Sequence, residues 1–311
     1  YRHRHFACFT STNSNPTIAI TNNNANASII DNLKMTIVAD ITMAEQRDAK
    51  PTFSLVTVTY NSEESLRRYG KLLVREDTEW LVIDNNSGDS SASVAADLGA
   101  TVVVLPKNIG FGSATNLGLN RARGKYVGIV NPDVSADLEA LPRIAEILSE
   151  DDILLSPQLL NDDDSPQPNG RGAPTLVNKV INRLSPGSAR RRAYQLFARP
   201  GETLEVVWLT GAAIFARSDT WASLGGFDER FFVYYEDVDL CIRAGRQGVP
   251  SVVNGDIRWV HGWAREARGL NIGAWKLELS SAAKFYRRYP HLILSDREFR
   301  KTNAGRAPHD Q

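Results

Sequence analysis

The sequence has 311 residues, enough to bury a substantial hydrophobic core in one large domain or in two lobes. Its 36 Lys and Arg equal its 36 Asp and Glu, so no overall basic field marks the protein as a partner of nucleic acid. Two cysteines, Cys8 and Cys241, are too few for a disulfide framework or a cysteine-based zinc site, and no apolar run approaches the roughly 20 residues of a transmembrane helix.

The first 50 residues differ in composition from the rest of the chain. Positions 11–32 hold seven Asn among Ser, Thr and Ala, without helical or strand periodicity, which is typical of disorder. The only methionines are Met35 and Met43. We therefore expect residues 1–50 to be a disordered, low-complexity tail and Met43 to be the natural start. A native low-complexity tail is the alternative.

Strand and helix patterns alternate over residues 51–150. Short apolar and β-branched runs predict strands at 54–59, 80–84, 100–105 and 126–130. Helices are predicted between them, from Glu63, over 92–98 and over 112–123. This alternation indicates a mostly parallel, doubly wound sheet, in which ligands bind at the carboxyl ends of the strands. Asp84 and Asp133 follow two such ends, so we expect them to converge on one crevice.

The second half of the chain is more irregular. Residues 165–201 contain seven basic residues and no acid, which predicts a long, partly mobile basic loop. An apolar stretch at 206–216 and strands at 251–253 and 257–260 follow. The pattern of 273–289 predicts a terminal helix, with an apolar face formed by Trp275, Leu279, Ala282, Tyr286 and Tyr289. We expect this face to dock on the core, and a place at a membrane interface is the alternative.

An acidic cluster precedes an amphipathic run in the second half. Glu236, Asp237 and Asp239 fall within four positions, beside several aromatic residues. Carboxylates this close raise one another's pKa values unless a cation or a hydrogen-bond donor lies nearby. The pattern suits one carboxylate as a general base and another that orients it or binds an acceptor. An acidic first turn that favours the helix dipole is the alternative.

A series of short motifs runs in order through residues 54–290. They are Val-Thr-Tyr-Asn-Ser (58–62), Val-Ile-Asp-Asn-Asn-Ser (82–87), Asn-Ile-Gly-Phe-Gly-Ser-Ala-Thr-Asn-Leu-Gly (108–118), Ala-Arg-Gly-Lys-Tyr-Val (122–127), Asn-Pro-Asp (131–133), Gly-Gly-Phe-Asp-Glu-Arg-Phe-Phe (225–232), Glu-Asp-Val-Asp-Leu (236–240) and Val-His (260–261). Together they resemble the inverting nucleotide-sugar glycosyltransferases of family 2, and more narrowly their rhamnosyltransferase-like branch. The resemblance implies an α/β, nucleotide-sugar-binding, Rossmann-like fold of the GT-A type. Such a fold has a mostly parallel central sheet flanked by helices, here with a C-terminal helical extension.

The resemblance also implies roles for single residues. Tyr60, Asp84 and Asn116 match positions that bind the nucleotide. Asp133 matches the last acid of the metal-binding Asp-X-Asp motif and His261 matches a downstream ligand, for Mg²⁺ or Mn²⁺. Asp237 matches the general base, with Glu236 beside it. Candidates for acceptor contacts are Asp239, Trp208 and Gly211.

Two positions depart from the family pattern. Asn131 replaces the first acid of Asp-X-Asp, a substitution common in the rhamnosyl-type branch that favours a deoxysugar donor carried on dTDP. Thr115 stands where many members carry Arg, which removes one phosphate contact. The arginines of residues 165–199 are candidates to supply that charge instead.

The implied activity is transfer of a sugar, L-rhamnose from dTDP-rhamnose, to a hydroxyl of a glycan or lipid-linked acceptor in cell-surface polysaccharide synthesis. Another donor, UDP-galactofuranose or UDP-N-acetylglucosamine, and a non-catalytic nucleotide- or glycan-binding protein are the alternatives. Residues 51–150 would bind the donor, 151–265 would hold the acceptor and catalytic residues, and 266–311 would form the C-terminal helix and tail. We expect a cytoplasmic protein that associates peripherally with the inner face of the membrane through residues 183–199.

Overall fold

The computed structural model of the protein describes residues 50–70, 75–184, 193–262 and 272–299. The expected tail therefore lies, except for Lys50, outside the described residues. The same holds for Arg190, Arg191 and Arg192, on which the expected membrane association depends.

The first half alternates strands and helices as expected. The elements are β1 (Phe53–Thr59), α1 (Glu63–Tyr69), β2 (Thr78–Asp84), α2 (Ser91–Asp97), β3 (Thr101–Val104), α3 (Phe111–Leu119) and β4 (Tyr126–Val130). All four strands overlap the predicted ones, and α3 ends four residues earlier than predicted. The agreement follows from the apolar runs, since all seven residues of β1 are buried.

The second half holds more, and shorter, elements. They are β5 (Val134–Ser135), α4 (Leu141–Glu150), β6 (Leu154–Leu160), β7 (Gly170–Arg171), α5 (Leu176–Leu184), β8 (Gln195–Leu196), β9 (Thr203–Val206), β10 (Trp208–Leu209), β11 (Ala213–Arg217), α6 (Ser218–Leu224), α7 (Glu236–Arg246), β12 (Ser251–His261) and α8 (Ile272–Arg288). The described residues also contain 3₁₀ helices of three or four residues. The helices at 141–150 and 218–224 and the strand at 154–160 were not predicted.

A nine-stranded sheet organises the described part of the chain, in the order β3-β2-β1-β4-β11-β6-β12-β5, with β9 also paired to β12. Strands β1 to β4, β6 and β12 run parallel, while β11, β5 and β9 run against them. Leu55 packs in a cluster with Leu148 of α4, whereas the next residue, Val56, packs with Trp221 of α6 and Leu240 of α7. Helices thus cover both faces, which is why the parallel strands are continuously apolar.

Strand β6 was missed because Pro157 lies inside it, and proline is normally excluded from central strands. The neighbouring strand β12 is irregular at this point, with a register shift between Asn254 and Arg258. The buried side chain of Asn169 donates from its Nδ2 to the Pro157 carbonyl at 2.9 Å. The two strands predicted near the C-terminal end are therefore one strand, bent opposite a proline.

The basic stretch is more ordered than a loop. Its described residues contain α5, and β7 pairs with both β8 and β10 in a separate three-stranded sheet. Arg171 lies over the Trp208 ring at 6.0 Å. Lys179 lies 4.4 Å from the same ring and 4.5 Å from that of Tyr235. Two of the seven cations therefore pack inward, against aromatic side chains.

The terminal helix α8 docks through its C-terminal half only. Phe285, Tyr286 and the following Tyr289 are buried. Trp275 and Leu279 remain 38% and 63% exposed, so the expectation that they dock on the core is wrong. Within the described residues, no helix combines the length and apolar character that a bilayer crossing requires.

Gly110 lets the start of α3 approach the segment before α7. Its backbone, at φ 90° and ψ 163°, occupies a region that is in practice restricted to glycine. A Cβ there would lie 2.4 Å from the carbonyl oxygen of Phe232, which accepts a hydrogen bond from the Phe111 N–H at 2.7 Å. The two halves of the fold meet at this contact.

We expect Gly110→Ala to lower the free energy of unfolding by about 3 kcal/mol or more, because backbone strain of about 1–3 kcal/mol adds to the steric conflict with Phe232. The control is Gly225→Ala. Gly225 also has a positive φ, 68°, but no atom lies within 4 Å of its Cβ position, so the loss should be about 1–2 kcal/mol. Chemical denaturation measures both variants, and equal losses would show that the approach to Phe232 imposes no extra constraint.

Candidate active site

A cavity of about 330 Å³ opens at the carboxyl edge of the parallel strands. Half of the ten candidate residues line it, and they come from four separate segments: Asp133, Gly211, Glu236, Asp237 and His261. The convergence follows from topology, because the carboxyl ends of parallel strands lie along one edge of a sheet.

Two tyrosines with left-handed backbones place the acidic pair. Tyr234 and Tyr235 have φ values of 68° and 70°, a conformation that costs a non-glycine residue about 1–2 kcal/mol. Helix α7 begins directly after them, so Glu236 and Asp237 occupy its first turn. The positive end of the helix dipole favours negative charge there.

The two carboxyl groups differ in their hydrogen bonds and in the charges near them. Glu236 is buried and its Oε2 accepts no hydrogen bond; burial, and then the charge of Asp237, raise its pKa to about 8. Desolvation also raises the pKa of Asp237, but the charge of Lys179 and backbone donors oppose the rise. Its oxygens accept from the N–H groups of Val238 at 2.8 Å and Gly211 at 3.2 Å. Of the two groups, Asp237 is therefore the one on which the negative charge is favoured, and Glu236 the one that keeps the proton.

Lys179 is the counter-charge of this pair. The half-buried ammonium group lies between the Trp208 and Tyr235 rings, where each ring face attracts a cation. Burial lowers the pKa of Lys179 to about 8, although the negative charge of Asp237 opposes the change. The ammonium group therefore loses its proton in the same pH range in which Glu236 ionises.

Asp133 and His261 form a second pair in the cavity. His261 pairs with Val134 in the β5–β12 ladder, which brings its Nε2 to 3.4 Å from Oδ1 of Asp133. That oxygen is buried and accepts no hydrogen bond. Within the described part of the chain, no third His, Cys, Asp or Glu completes a metal-binding group. An unpaired carboxylate oxygen beside an imidazole nitrogen fits a divalent cation whose other ligands are substrate oxygens or water.

The candidate nucleotide residues Tyr60 and Asp84 lie at the same edge but do not line the cavity. Asp84 is buried, and its carboxylate accepts from the Thr59 hydroxyl at 2.9 Å and the Ser87 N–H at 3.0 Å. Tyr60 is 53% exposed beside it. Base recognition by this pair stays a prediction.

The structure gives Asn116 another task. Its Oδ1 accepts from the Phe227 N–H at 2.8 Å and its Nδ2 donates to the Phe227 carbonyl at 2.9 Å. The second Nδ2 hydrogen faces Glu229 at 3.2 Å. The amide thus acts as a backbone partner for the segment before α7, and nucleotide contact by Asn116 stays a prediction.

Two candidates for acceptor contacts lie away from the cavity, which corrects the expectation. Asp239 is fully buried, and its carboxylate pairs with Arg243 at 2.8 Å and Arg288 at 3.1 Å and accepts from the Tyr289 hydroxyl at 2.8 Å. Trp208 is buried behind the cavity, under Lys179. In a helix, residues two positions apart point to nearly opposite sides, so Asp237 and Asp239 cannot share one role.

Two lining residues outside the ten candidates add to the chemistry of the cavity. Arg171 contributes a buried cation to the cavity wall, and the basic composition of its segment was the signal that pointed to it. Gln167 also lines the cavity, and no local pattern distinguished it from other polar residues.

The chain resembles several known proteins in sequence and in fold. Residues 54–200 match the profile of Glycosyl transferase family 2. The N-acetylglucosaminyl-diphospho-decaprenol L-rhamnosyltransferase of Mycobacterium tuberculosis is 28% identical over 221 residues, which are 64% of this chain and 72% of that protein. The mannosyltransferase PcManGT from Pyrobaculum calidifontis, solved with GDP-Man and Mn²⁺, has a TM-score of 0.51 at 18% identity, over 83% of this chain and 74% of its own. For S. aureus TarS 1-349 the TM-score is 0.47 at 21% identity, and this chain covers 60% of that chain with 68% of its own length.

The fold is that of the GT-A glycosyltransferases, as expected from the motifs. Residues 54–200 carry a glycosyl transferase family 2 domain, and the homologues of the chain include rhamnosyltransferases. The family resemblance is thereby confirmed.

Asp237→Asn and Asp239→Asn form a matched pair in one helix. We expect Asp237→Asn to keep the fold and to lower turnover by at least about 10²-fold, the contribution of a general base. Asp239→Asn should instead lower the free energy of unfolding by about 3 kcal/mol, because Arg243 and Arg288 lose a buried partner. Denaturation and turnover are measured on both. Near-normal turnover of Asp237→Asn would assign the base to another group.

Glu236→Gln tests the raised pKa. The folded protein holds a proton on Glu236 that the unfolded chain releases, so the free energy of unfolding falls as pH rises from about 4.5 towards about 8. The amide cannot ionise and avoids this loss. We expect equal melting temperatures at pH 4, and a value about 3 °C or more above wild type at pH 8.5 for Glu236→Gln. If the melting temperatures of the two proteins changed with pH in parallel, the raised pKa of Glu236 would be contradicted.

Proposed function

We propose that the protein transfers L-rhamnose from dTDP-L-rhamnose, with inversion, to a hydroxyl of a glycan or lipid-linked acceptor in cell-surface polysaccharide synthesis. The observation that carries the proposal is that two adjacent carboxyl groups have different surroundings and therefore differ in how readily they ionise. Backbone N–H groups and the charge of Lys179 favour the anion on Asp237 over one on Glu236, where burial favours the neutral acid, and both lie in one cavity with Asp133 and His261.

Asp237 is the proposed general base. It takes the proton of the acceptor hydroxyl as the acceptor oxygen bonds to the anomeric carbon, and the bond from that carbon to the nucleoside diphosphate breaks on the opposite side. Glu236, kept neutral by burial, can donate a hydrogen bond to the acceptor and does not compete for its proton. A positioned base contributes on the order of 10²–10⁴ in rate.

Asp133 and His261 are the residues that would hold Mg²⁺ or Mn²⁺. Their donor set suits either ion, and imidazole favours Mn²⁺. When bound, such a cation neutralises the charge that develops on the leaving diphosphate. Arg171 adds a positive side chain to the same cavity, in keeping with the expectation that the basic stretch supplies charge that Thr115 does not.

Two observations favour a rhamnosyl donor. Asn131 lines the cavity at the position that favours a deoxysugar donor in the family, and the M. tuberculosis relative is named as an L-rhamnosyltransferase. Tyr60 and Asp84, at the ends of β1 and β2, would contact the base of the nucleotide.

The acceptor is proposed to be a lipid-linked diphosphate sugar. The M. tuberculosis relative names such an acceptor. Trp275, Leu277 and Leu279 expose apolar surface on the first half of α8, which supports peripheral contact with a membrane surface. This helix is anchored beside the cavity, since Ser281 donates from its hydroxyl to the Val233 carbonyl at 2.7 Å.

Donor assays test the proposal. The protein is incubated with dTDP-L-rhamnose, UDP-galactofuranose or UDP-N-acetylglucosamine, in Mn²⁺, Mg²⁺ or chelator, and the released nucleoside diphosphate is measured. We expect metal-dependent release of dTDP, faster with a lipid-diphosphate N-acetylglucosamine acceptor. His261→Ala should lower the rate of this release at least about tenfold. The matched control is His291→Ala, because the exposed ring of His291 pairs with Glu298.

Each other outcome assigns a different function or site. Faster release of UDP would make a UDP-sugar the donor, and nucleotide binding without release would make the protein a binder. Full activity in chelator would exclude the metal pair and leave Arg171 as the group that stabilises the diphosphate.

A further inference from the structure

We infer that Gln167 is a positioning residue that holds His261 as the tautomer with its hydrogen on Nδ1, and so presents the Nε2 lone pair to the cavity. The inference rests on the proposed metal pair, Asp133 and His261. It concerns a residue that neither the motifs nor the family resemblance singled out.

The side-chain amide of Gln167 contacts His261 twice. Its Oε1 lies 2.8 Å from the ring Nδ1 of His261, and its Nε2 donates to the His261 carbonyl at 2.7 Å. The second Nε2 hydrogen faces Oδ1 of Asn161 at 3.0 Å. One amide therefore holds both the backbone and the ring of His261.

These contacts leave one orientation for the amide. A peptide carbonyl is only an acceptor, so the group 2.7 Å from the His261 carbonyl must be the Gln167 nitrogen. Oε1 then faces the ring, and because Oε1 can only accept, Nδ1 must carry a hydrogen. In a neutral imidazole the lone pair is consequently on Nε2.

Nε2 is the ring atom that faces Asp133. It lies 3.4 Å from the buried Oδ1, which has no hydrogen-bond donor. Two acceptors at that distance are a favourable arrangement only if a cation or a proton lies between them. Partners of this kind commonly fix the tautomer of a metal-binding histidine, and their loss costs about 10–100-fold in metal affinity.

Gln167 is itself held firmly. It is 3% exposed, its N–H donates to the Leu159 carbonyl at 2.8 Å, and its carbonyl accepts from Nε2 of Gln158 at 2.7 Å. Asn169 accepts from the same Gln158 nitrogen at 3.0 Å. The amide network that satisfies the proline-containing strand β6 thus also sets the position of Gln167.

The test compares Gln167→Met with Gln167→Glu. The methionine removes the acceptor for Nδ1–H, whereas the glutamate keeps it, and both remove the donors to the His261 carbonyl and to Asn161. ¹⁵N spectra of the histidine rings, assigned by loss of the His261 signal in His261→Ala, report the tautomer without metal. We expect Nδ1–H in wild type and Gln167→Glu, and a population of Nε2–H in Gln167→Met. An Nε2–H tautomer in the wild type would overturn the inference.

Mn²⁺ titration, followed by electron paramagnetic resonance of the free ion, is the second readout. We expect Gln167→Met to weaken Mn²⁺ binding by about 10–100-fold, Gln167→Glu to stay within about threefold of wild type, and Gln167→Met to have no further effect in His261→Ala. Equal losses in the methionine and glutamate variants would make Gln167 a structural residue only and overturn the inference.

The two readouts separate this inference from the proposed function. If Mn²⁺ binding depends on His261 but not on Gln167, only the positioning role is wrong. If wild type and His261→Ala bind Mn²⁺ equally, the proposed metal pair is wrong, whatever the tautomer, and the donor assay still decides on transfer.

Discussion

Two adjacent carboxyl groups in a desolvated cavity are the electrostatic constraint on which the site depends. Glu236 and Asp237 cannot both ionise there at low cost, because each charge disfavours the other. The start of α7, two backbone N–H groups and the charge of Lys179 favour the anion on Asp237. The proton consequently stays on Glu236. The difference between the anion and its neutral neighbour therefore comes from their surroundings, since the side chains are chemically alike.

The rest of the fold holds this pair in place. The left-handed backbones of Tyr234 and Tyr235 persist because packing on both sides determines the path of the chain. Behind them, the buried carboxylate of Asp239 joins α7 to Arg288 of α8, and to Arg243, which donates to the Gly226 carbonyl at 2.7 Å. The acidic cluster thus contains one residue that anchors the helix and two that face the cavity.

The secondary-structure predictions succeeded for strands that are buried on both faces. Strands β1 to β4 were recognised because parallel strands covered on both faces are apolar throughout. Strand β6 was missed because the buried side-chain amides of Gln158 and Asn169 accommodate Pro157. Such buried polar groups have no signature in the local sequence. The basic stretch was expected to be a loop, since local patterns cannot show that Lys179 packs between aromatic rings from two other segments.

By itself the sequence determined the α/β class, the order of the family motifs and the identity of the acidic cluster, because these depend on periodicity and spacing along the chain. Only the tertiary structure decided which acids face the cavity and which one is buried behind them. Asp237 and Asp239 are turned about 200° apart on one helix, and what covers each side comes from distant segments. The same applies to Asp133, His261 and Gln167, which meet only because the strands and turns that carry them pair across the sheet edge. Pairing between distant segments leaves no mark on local sequence pattern, so the chemistry of the site depends on the fold.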